Sequence, residues 1–297
     1  MTTLSRRKQR RVEYGRAQNL WRRNPRRYYD QLMEGTGVIS CLPKEIMVPF
    51  WEALMTDARD VCPPEPQQEL KISCLWAPIM LPEVREALPE CHTAPGPDGL
   101  SARILRKMPT EILARIYNLL LWCRRLPVHL RSARKVLIPK IKESSSPAEY
   151  RPITVASTLV RGFHKVLARR MNRLISLDER QKEFRATDCC ADNVFLLELI
   201  LLHHHTRHKS LFIASIDVAK AFDTVAHSAI MQTLGARGCP EPMLDYVRSV
   251  YSGATTTIKT DVWQSHAIHP RHGERQGNPL SPFDFNMVMD RLLKSLP

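Results

Sequence analysis

The chain has no cysteines spaced C-x-x-C. Its eight cysteines, at 41, 62, 74, 91, 123, 189, 190 and 239, are scattered, and no two of them stand at finger spacing. A zinc finger and a disulfide framework are both excluded as the organising feature. No apolar run reaches the roughly eighteen residues that a membrane span needs, and the basic N-terminus leads into no apolar stretch. The sequence therefore reads as soluble and unsecreted, with no membrane partner. No repeat period is present. Acidic residues are in deficit, 30 against 44 Lys and Arg, for a net charge of +14. A surplus of that size points to a polyanionic partner.

What is present is enough apolar material for a core, 43% of 297 residues. Residues 1–30 hold ten Lys and Arg against Glu13 and Asp30, with Tyr14, Trp21, Tyr28 and Tyr29 among them. Arg10, Arg11, Arg22, Arg23, Arg26 and Arg27 can pair phosphates while the rings stack on bases, which suits a nucleic acid with exposed bases. A solvated helix or a localisation signal is the plainer alternative. Prolines recur from 63 to 97. They forbid long helices there and suggest an extended linker, with a boundary near residue 70.

Beyond it, "TEILARIYNLLLWCRRL" (110–126) has helical spacing, with Thr110 as its N-cap and Pro127 past its end. "KVLIPK" (135–140) reads as a strand. "STLVRGFHKVLARRMNRLI" (157–175) is an amphipathic helix whose basic side is Arg161, Lys165, Arg169, Arg170 and Arg173. Helices are expected at 193–203, 226–235 and 241–251. "ATTTIKT" and "QSHAIHP" can pair as a hairpin across "DVW". The cluster "HHHTRH" (203–208) follows the helical run "NVFLLELILL" and reads as a solvated helix end rather than a metal site. The mixed order of elements indicates an α+β fold.

"LFIASI" (211–216) is apolar enough for a strand covered on both faces, and it runs into Asp217. A carboxylate there needs a partner charge or a metal. An arginine could serve Asp217, and Asp223 could simply cap the next helix. Three loops add weight to the metal reading. "HTAPGPDGL" (92–100) is a rigid turn in which Gly96 and Gly99 could let backbone approach a phosphate. "VLIPKIKESSSPAEYRPIT" (136–154) brings Lys140, Lys142 and Arg151 onto a strand, loop, strand unit suited to clamping a triphosphate. "RHGERQGNPLSP" (271–282) carries Gln276 into a helix at about 283, a shape fitted to lie under a nucleotide or template base.

In this order the segments resemble a reverse transcriptase of the non-LTR retrotransposon type, most like the site-specific elements that insert into ribosomal RNA genes. The resemblance runs from about residue 75 to 297 and weakens back toward residue 10. It implies a right-hand polymerase: a basic helical N-terminal extension and linker (1–70), fingers (71–210) and part of a palm (211–297), with the thumb absent. "APGPDGL" resembles the motif ahead of the fingers. "VLIPK" with "YRPIT" resembles the fingers segment, which implies that Lys140 and Arg151 meet the incoming triphosphate. "SIDVAKAFDTV" resembles the first palm motif, whose leading aspartate binds catalytic metals. That role falls on Asp217 with the Val218 carbonyl, and Phe222 matches the aromatic gate against a ribose 2′-OH. "RQGNPLSP" resembles the next palm motif, so Gln276 and Gly277 approach nucleotide and template. The implied cofactor is Mg²⁺, in a two-metal reaction. The implied partners are template RNA, a target DNA primer and deoxynucleoside triphosphates, and the implied compartment is the nucleus.

The sequence departs from that family where a second metal-binding segment carries two adjacent aspartates, because no Asp-Asp pair occurs in the chain. A C-terminally truncated polymerase, inactive by itself and prone to aggregate through an uncovered face, is the resulting expectation. Glu274 and Asp284 stand where the family is usually apolar, and either would put an unpaired charge inside the palm if buried. A non-catalytic RNA-binding fragment is the alternative function. An RNA-dependent RNA polymerase on a similar palm is disfavoured by Phe222.

Overall fold

The computed structural model describes residues 42–57, 72–141, 144–185, 189–260 and 262–295. Arg10, Arg11, Arg22, Arg23, Arg26, Arg27 and Lys142 lie outside the described residues. The first described helix, α1 (Lys44–Thr56), turns Met47, Val48, Trp51 and Met55 to one buried side. It packs with Leu137, Tyr150, Ile258 and Ile268 in a small apolar cluster, so part of residues 1–70 is folded against the body.

A 3₁₀ turn (Ser73–Trp76) leads to α2 (Leu81–Ala87), α3 (Ala102–Lys107), α4 (Thr110–Cys123) and α5 (Val128–Arg131). Thr110 is the first residue of α4 rather than its cap. Pro109 precedes the helix with a preset φ of −54° and no side-chain acceptor. The helix stops at Arg124, in the left-handed region at φ 52°, ahead of the expected 126.

Next come β1 (Ser132–Pro139), β2 (Tyr150–Ala156), α6 (Thr158–Leu174) and α7 (Cys189–Thr206). They are followed by the one-turn α8 (Ala221–Thr224), α9 (His227–Ala236), α10 (Glu241–Ser252), β3 (Thr255–Ile258) and α11 (Ser281–Ser295). The sheet order is β2-β1-β3. β1 and β2 are antiparallel, with Ala133 opposite Ala156 and Pro139 opposite Tyr150. β3 joins β1 in parallel, Ser132 opposite Thr255, a pairing that no local signal announces. The expected hairpin between residues 254–260 and 264–270 has β3 in its first arm and pairs through the antiparallel bridges Thr256 with Ile268 and Lys259 with Gln264. The result is the expected mixture of helix and strand around a small sheet.

The large core gathers Val160, Phe163, Val166, Leu167 and Met171 of α6 with α2, α4, α9, α10 and α11. Arg170, assigned above to the basic side of this helix, is instead buried. Its Nε and Nη2 donate to Glu83 at 2.6 and 2.8 Å. Its remaining donors reach the carbonyls of Leu75, Ala77 and Pro78 at 3.3, 2.5 and 3.0 Å. Burial of a guanidinium is tolerable because every part of its fork finds an acceptor.

One expected element is overturned. Residues 211–218 form no strand, Phe212 is 95% and Ile216 89% exposed, and Asp217 is exposed rather than set at the end of a buried strand. A strand covered on both faces needs a hydrogen-bonded neighbour and packing on each side. Among the described residues nothing supplies them. No described helix is long and apolar enough to cross a membrane.

Candidate functional site

The chemistry-bearing segments meet where the loop 272–278 lies between α8 and β2. Two glycines allow the approach. Gly273 has φ +83°, and a Cβ there would fall 2.9 Å from the Asp223 carbonyl oxygen. Gly277 has φ +98°, and its Cβ would fall 3.0 Å from the Thr154 carbonyl oxygen. Backbone bonds fix the contact: Gly273 N donates to Val225 O at 2.8 Å, Glu274 N to Phe222 O at 2.6 Å, and Thr154 N to Gln276 O at 2.7 Å.

Side chains then anchor the loop from below. Tyr251 Oη donates to Glu274 Oε2 at 2.8 Å. Arg275 Nη2 donates to the carbonyls of Arg131 and Val250 at 3.0 and 3.1 Å. Asn278 Oδ1 accepts from His164 Nδ1 at 2.7 Å, and His164 Nε2 accepts from Tyr246 Oη at 2.8 Å. Burial pushes His164 down to about 3, which keeps the ring neutral in that tautomer. Glu274, Arg275 and Asn278 are buried, whereas Gln276 is half-buried and Gly277 exposed. The loop therefore presents those two positions on a fixed base.

A buried ion pair lies beside them. Lys135, in the inward register of β1 with Ala133 and Leu137, holds Nζ 3.8 Å from Asp223 Oδ1. Gln276 Nε2 donates to Asp223 Oδ2 at 2.9 Å. Desolvation pushes Asp223 up, opposed first by Lys135, and pushes Lys135 down, opposed by Asp223. Each charge is tolerated in the interior because of the other. Asp223 does not cap a helix, as its sequence position allowed, because it lies within α8 behind the cap residue Lys220. Lys220 Nζ donates to Ala148 O at 2.7 Å and lies 4.7 Å from the Trp51 ring.

Of the residues singled out from sequence, Lys140 and Arg151 are exposed at one end of the β1–β2 hairpin, where Ile138 pairs Arg151. Gln276 joins β2 three residues further along, at Thr154. Phe222 stacks on Phe285 at 4.6 Å and meets Phe184 edge-on at 5.8 Å. Gly96 is consumed by packing: a Cβ there would fall 2.6 Å from the Ser157 backbone. Gly99 faces open space. Asp217 and Val218 lie on the exposed segment before α8.

A divalent cation of the implied kind needs several hard oxygen ligands. Asp217 is exposed, Asp223 is engaged by Lys135 and Gln276, and no group of three potential ligands forms among the described residues. The described side chains do not assemble such a site.

Sequence reasoning missed Lys135, Asp223 as an acceptor, and His164. The first was open to detection, since a lysine in the inward phase of an alternating strand demands a buried anion. Glu274 and Asp284 are buried, as their positions warned. Burial pushes Glu274 up to about 7, and burial and Glu274 push Asp284 well above the usual carboxylate range. Both shifts favour the neutral carboxyl in the interior.

Residues 138–297 match the reverse transcriptase (RNA-dependent DNA polymerase) family. The chain is 41% identical over 295 residues to the Retrovirus-related Pol polyprotein from type-2 retrotransposable element R2DM of Drosophila melanogaster, covering 99% of the chain and 28% of that polyprotein. It is 36% identical over 227 residues to the Retrovirus-related Pol polyprotein from type-1 retrotransposable element R2 of Nasonia vitripennis, covering 76% and 22%. It is 25% identical over 228 residues to the probable RNA-directed DNA polymerase from transposon BS of Drosophila melanogaster, covering 73% and 25%. The chain thus spans about a quarter of the length of these relatives.

Proposed function

The chain belongs to the reverse transcriptase family, and from that premise we propose that it forms the nucleotide- and template-facing part of an RNA-directed DNA polymerase of a non-LTR retrotransposon. The observation that carries this reading is the anchored loop, which offers Gln276 and Gly277 beside the hairpin bearing Lys140 and Arg151. Cationic side chains next to a rigid polar edge suit a triphosphate and the base above it. In this reading residues 71–210 act as fingers and 211–297 as part of the palm. Lys140 and Arg151 hold the triphosphate, Phe222 reads the sugar, and the arginines of residues 1–30 hold RNA.

The reaction is target-primed synthesis of DNA on an RNA template in the nucleus. Mg²⁺ would take Asp217 and the Val218 carbonyl among its ligands, joined by carboxylates beyond those described. By itself the 297-residue chain therefore binds template without extending a primer. A non-catalytic RNA-binding role is the second reading, favoured by the exposed, isolated position of Asp217.

The deciding experiment is primer extension on an RNA template with Mg²⁺ and deoxynucleotides, with salt-dependent RNA binding measured on the same preparation. In a polypeptide that also carries the further carboxylates, Asp217→Asn should abolish extension and leave RNA affinity unchanged. A tenfold or larger loss of RNA affinity in that variant, about what removal of a direct contact produces, would refute the separation of roles. Failure of such a polypeptide to extend any primer would leave the binding role as the function.

A further inference from the structure

Gln276 has an internal partner that fixes how its amide faces outward. Its Nε2 donates to Asp223 Oδ2 at 2.9 Å. Oδ1 of the same carboxylate lies 3.8 Å from Lys135 Nζ, and both charged side chains are almost wholly buried. The backbone on either side is equally committed, since Thr154 N donates to Gln276 O at 2.7 Å and Glu274 N to Phe222 O at 2.6 Å. An amide rotated by 180° would direct its oxygen at the carboxylate, two acceptors facing each other, which the interior does not tolerate.

We infer that Asp223 is a positioning residue for Gln276, and that the Lys135–Asp223 pair is kept in the interior to hold that amide in one orientation. One N–H of Gln276 is spent on Asp223. The amide oxygen and the second N–H remain as a fixed acceptor and donor at the half-buried edge of the loop. This inference rests on the reading of Gln276 as a nucleotide contact. It adds that Asp223, six residues beyond Asp217, serves the site without touching substrate.

The pair has an alternative, purely structural explanation, and a substitution can separate the two. Replacing a buried ion pair by apolar groups of similar volume is often neutral for stability, whereas removing one partner strands a charge. Lys135→Met combined with Asp223→Leu should therefore fold and lose only the acceptor for Gln276. The first readout needs no nucleotide: the side-chain amide ¹⁵N and ¹H resonances of Gln276 in the 297-residue chain. In the wild type the two protons should be widely dispersed, and in the double variant they should collapse to the positions of a solvated glutamine.

The second readout, made in a polypeptide that also carries the further carboxylates, is affinity for Mg²⁺-dATP in the presence of an RNA template and DNA primer. It should weaken about tenfold, the usual consequence of losing a bond to a charged acceptor. Lys135→Met combined with Asp223→Asn, which strands no charge and keeps an acceptor oxygen, should give intermediate amide shifts and guards against a first double variant that fails to fold. Unchanged Gln276 resonances in either variant would overturn the inference, as would undiminished dATP affinity alongside collapsed resonances. If the wild type binds no dATP, the nucleotide reading of the site fails, while the resonances still decide whether Asp223 orients Gln276.

Discussion

Gly277 lies against the Thr154 backbone where the loop joins β2. The Gln276 carbonyl accepts from Thr154 N at 2.7 Å, and a Cβ on Gly277 would fall 3.0 Å from Thr154 O. At φ +98° Gly277 also has a backbone conformation that side chains resist. Gly277→Ala should therefore lower stability by about 1–3 kcal/mol, strain and crowding acting together. Gly99, at φ +71° with open space around its Cβ position, is the internal control. Gly99→Ala should cost only the strain, about 1 kcal/mol. Urea unfolding of the two variants checks the difference, and equal losses would mean that the Thr154 contact carries no energy.

Stability should depend on pH through Glu274. Its carboxyl, buried against Tyr251, is pushed from 4.5 up to about 7. The folded chain thus holds this proton more tightly than the unfolded chain does. The resulting stabilisation is fully present below about 4.5 and is lost as pH rises through about 7. His164 and His227, pushed down by burial to about 3 and about 4, act in the opposite sense, contributing stability above 6.5 that is lost as pH falls. The raw pH profile mixes these, so the informative quantity is the difference between wild type and Glu274→Gln. That difference should move in favour of the glutamine variant between pH 4.5 and 7, and a flat difference would show that Glu274 is not protonated on folding.

Which parts of this arrangement could be read from the sequence follows from how local each cause is. α6, α9 and α10 follow from apolar spacing, and β1 and β2 from two apolar runs around a polar loop. The parallel pairing of β1 with β3 joins Ser132 to Thr255 across more than a hundred residues, and nothing near either residue encodes it. Gln276 could be singled out because glycine and proline flank it. Its partner Asp223 could not, because a carboxylate one turn into a short helix looks like a cap until the loop is placed beside it. The strand expected at 211–217 failed for a related reason: apolar content describes what a segment needs, and the neighbours that would satisfy it are non-local.

Arg170 should be irreplaceable even by lysine. Its guanidinium pairs Glu83 through two nitrogens and also serves the carbonyls of Leu75, Ala77 and Pro78. An ammonium carries the same charge but cannot span that set of acceptors. Arg170→Ala leaves Glu83 without its buried partner and three carbonyls without their donor, a loss of about 3–5 kcal/mol. Arg170→Lys should recover less than half of it. Thermal unfolding of both variants is the check, and full recovery by lysine would reduce the site to a simple charge pair.

Among the described residues the largest apolar exposure is on α7, where Val194, Phe195, Leu196, Leu197, Leu199, Ile200, Leu201 and Leu202 are all exposed. A helix apolar on every side is ordinarily buried, and an exposed surface of this kind drives association. Phe212, Ile213 and Ile216, a few residues further on, extend the exposed apolar surface. The 297-residue chain should therefore self-associate in a concentration-dependent way, without loss of its folded core, since no residue from 191 to 202 is buried. Phe195→Glu with Leu199→Lys places an acid and a base four residues apart, which supports the helix while removing apolar surface. The double variant should sediment as a monomer with an unchanged helical signal. If the wild type is already monomeric at the concentrations used for binding assays, the exposed face of α7 does not govern the behaviour of the chain in solution.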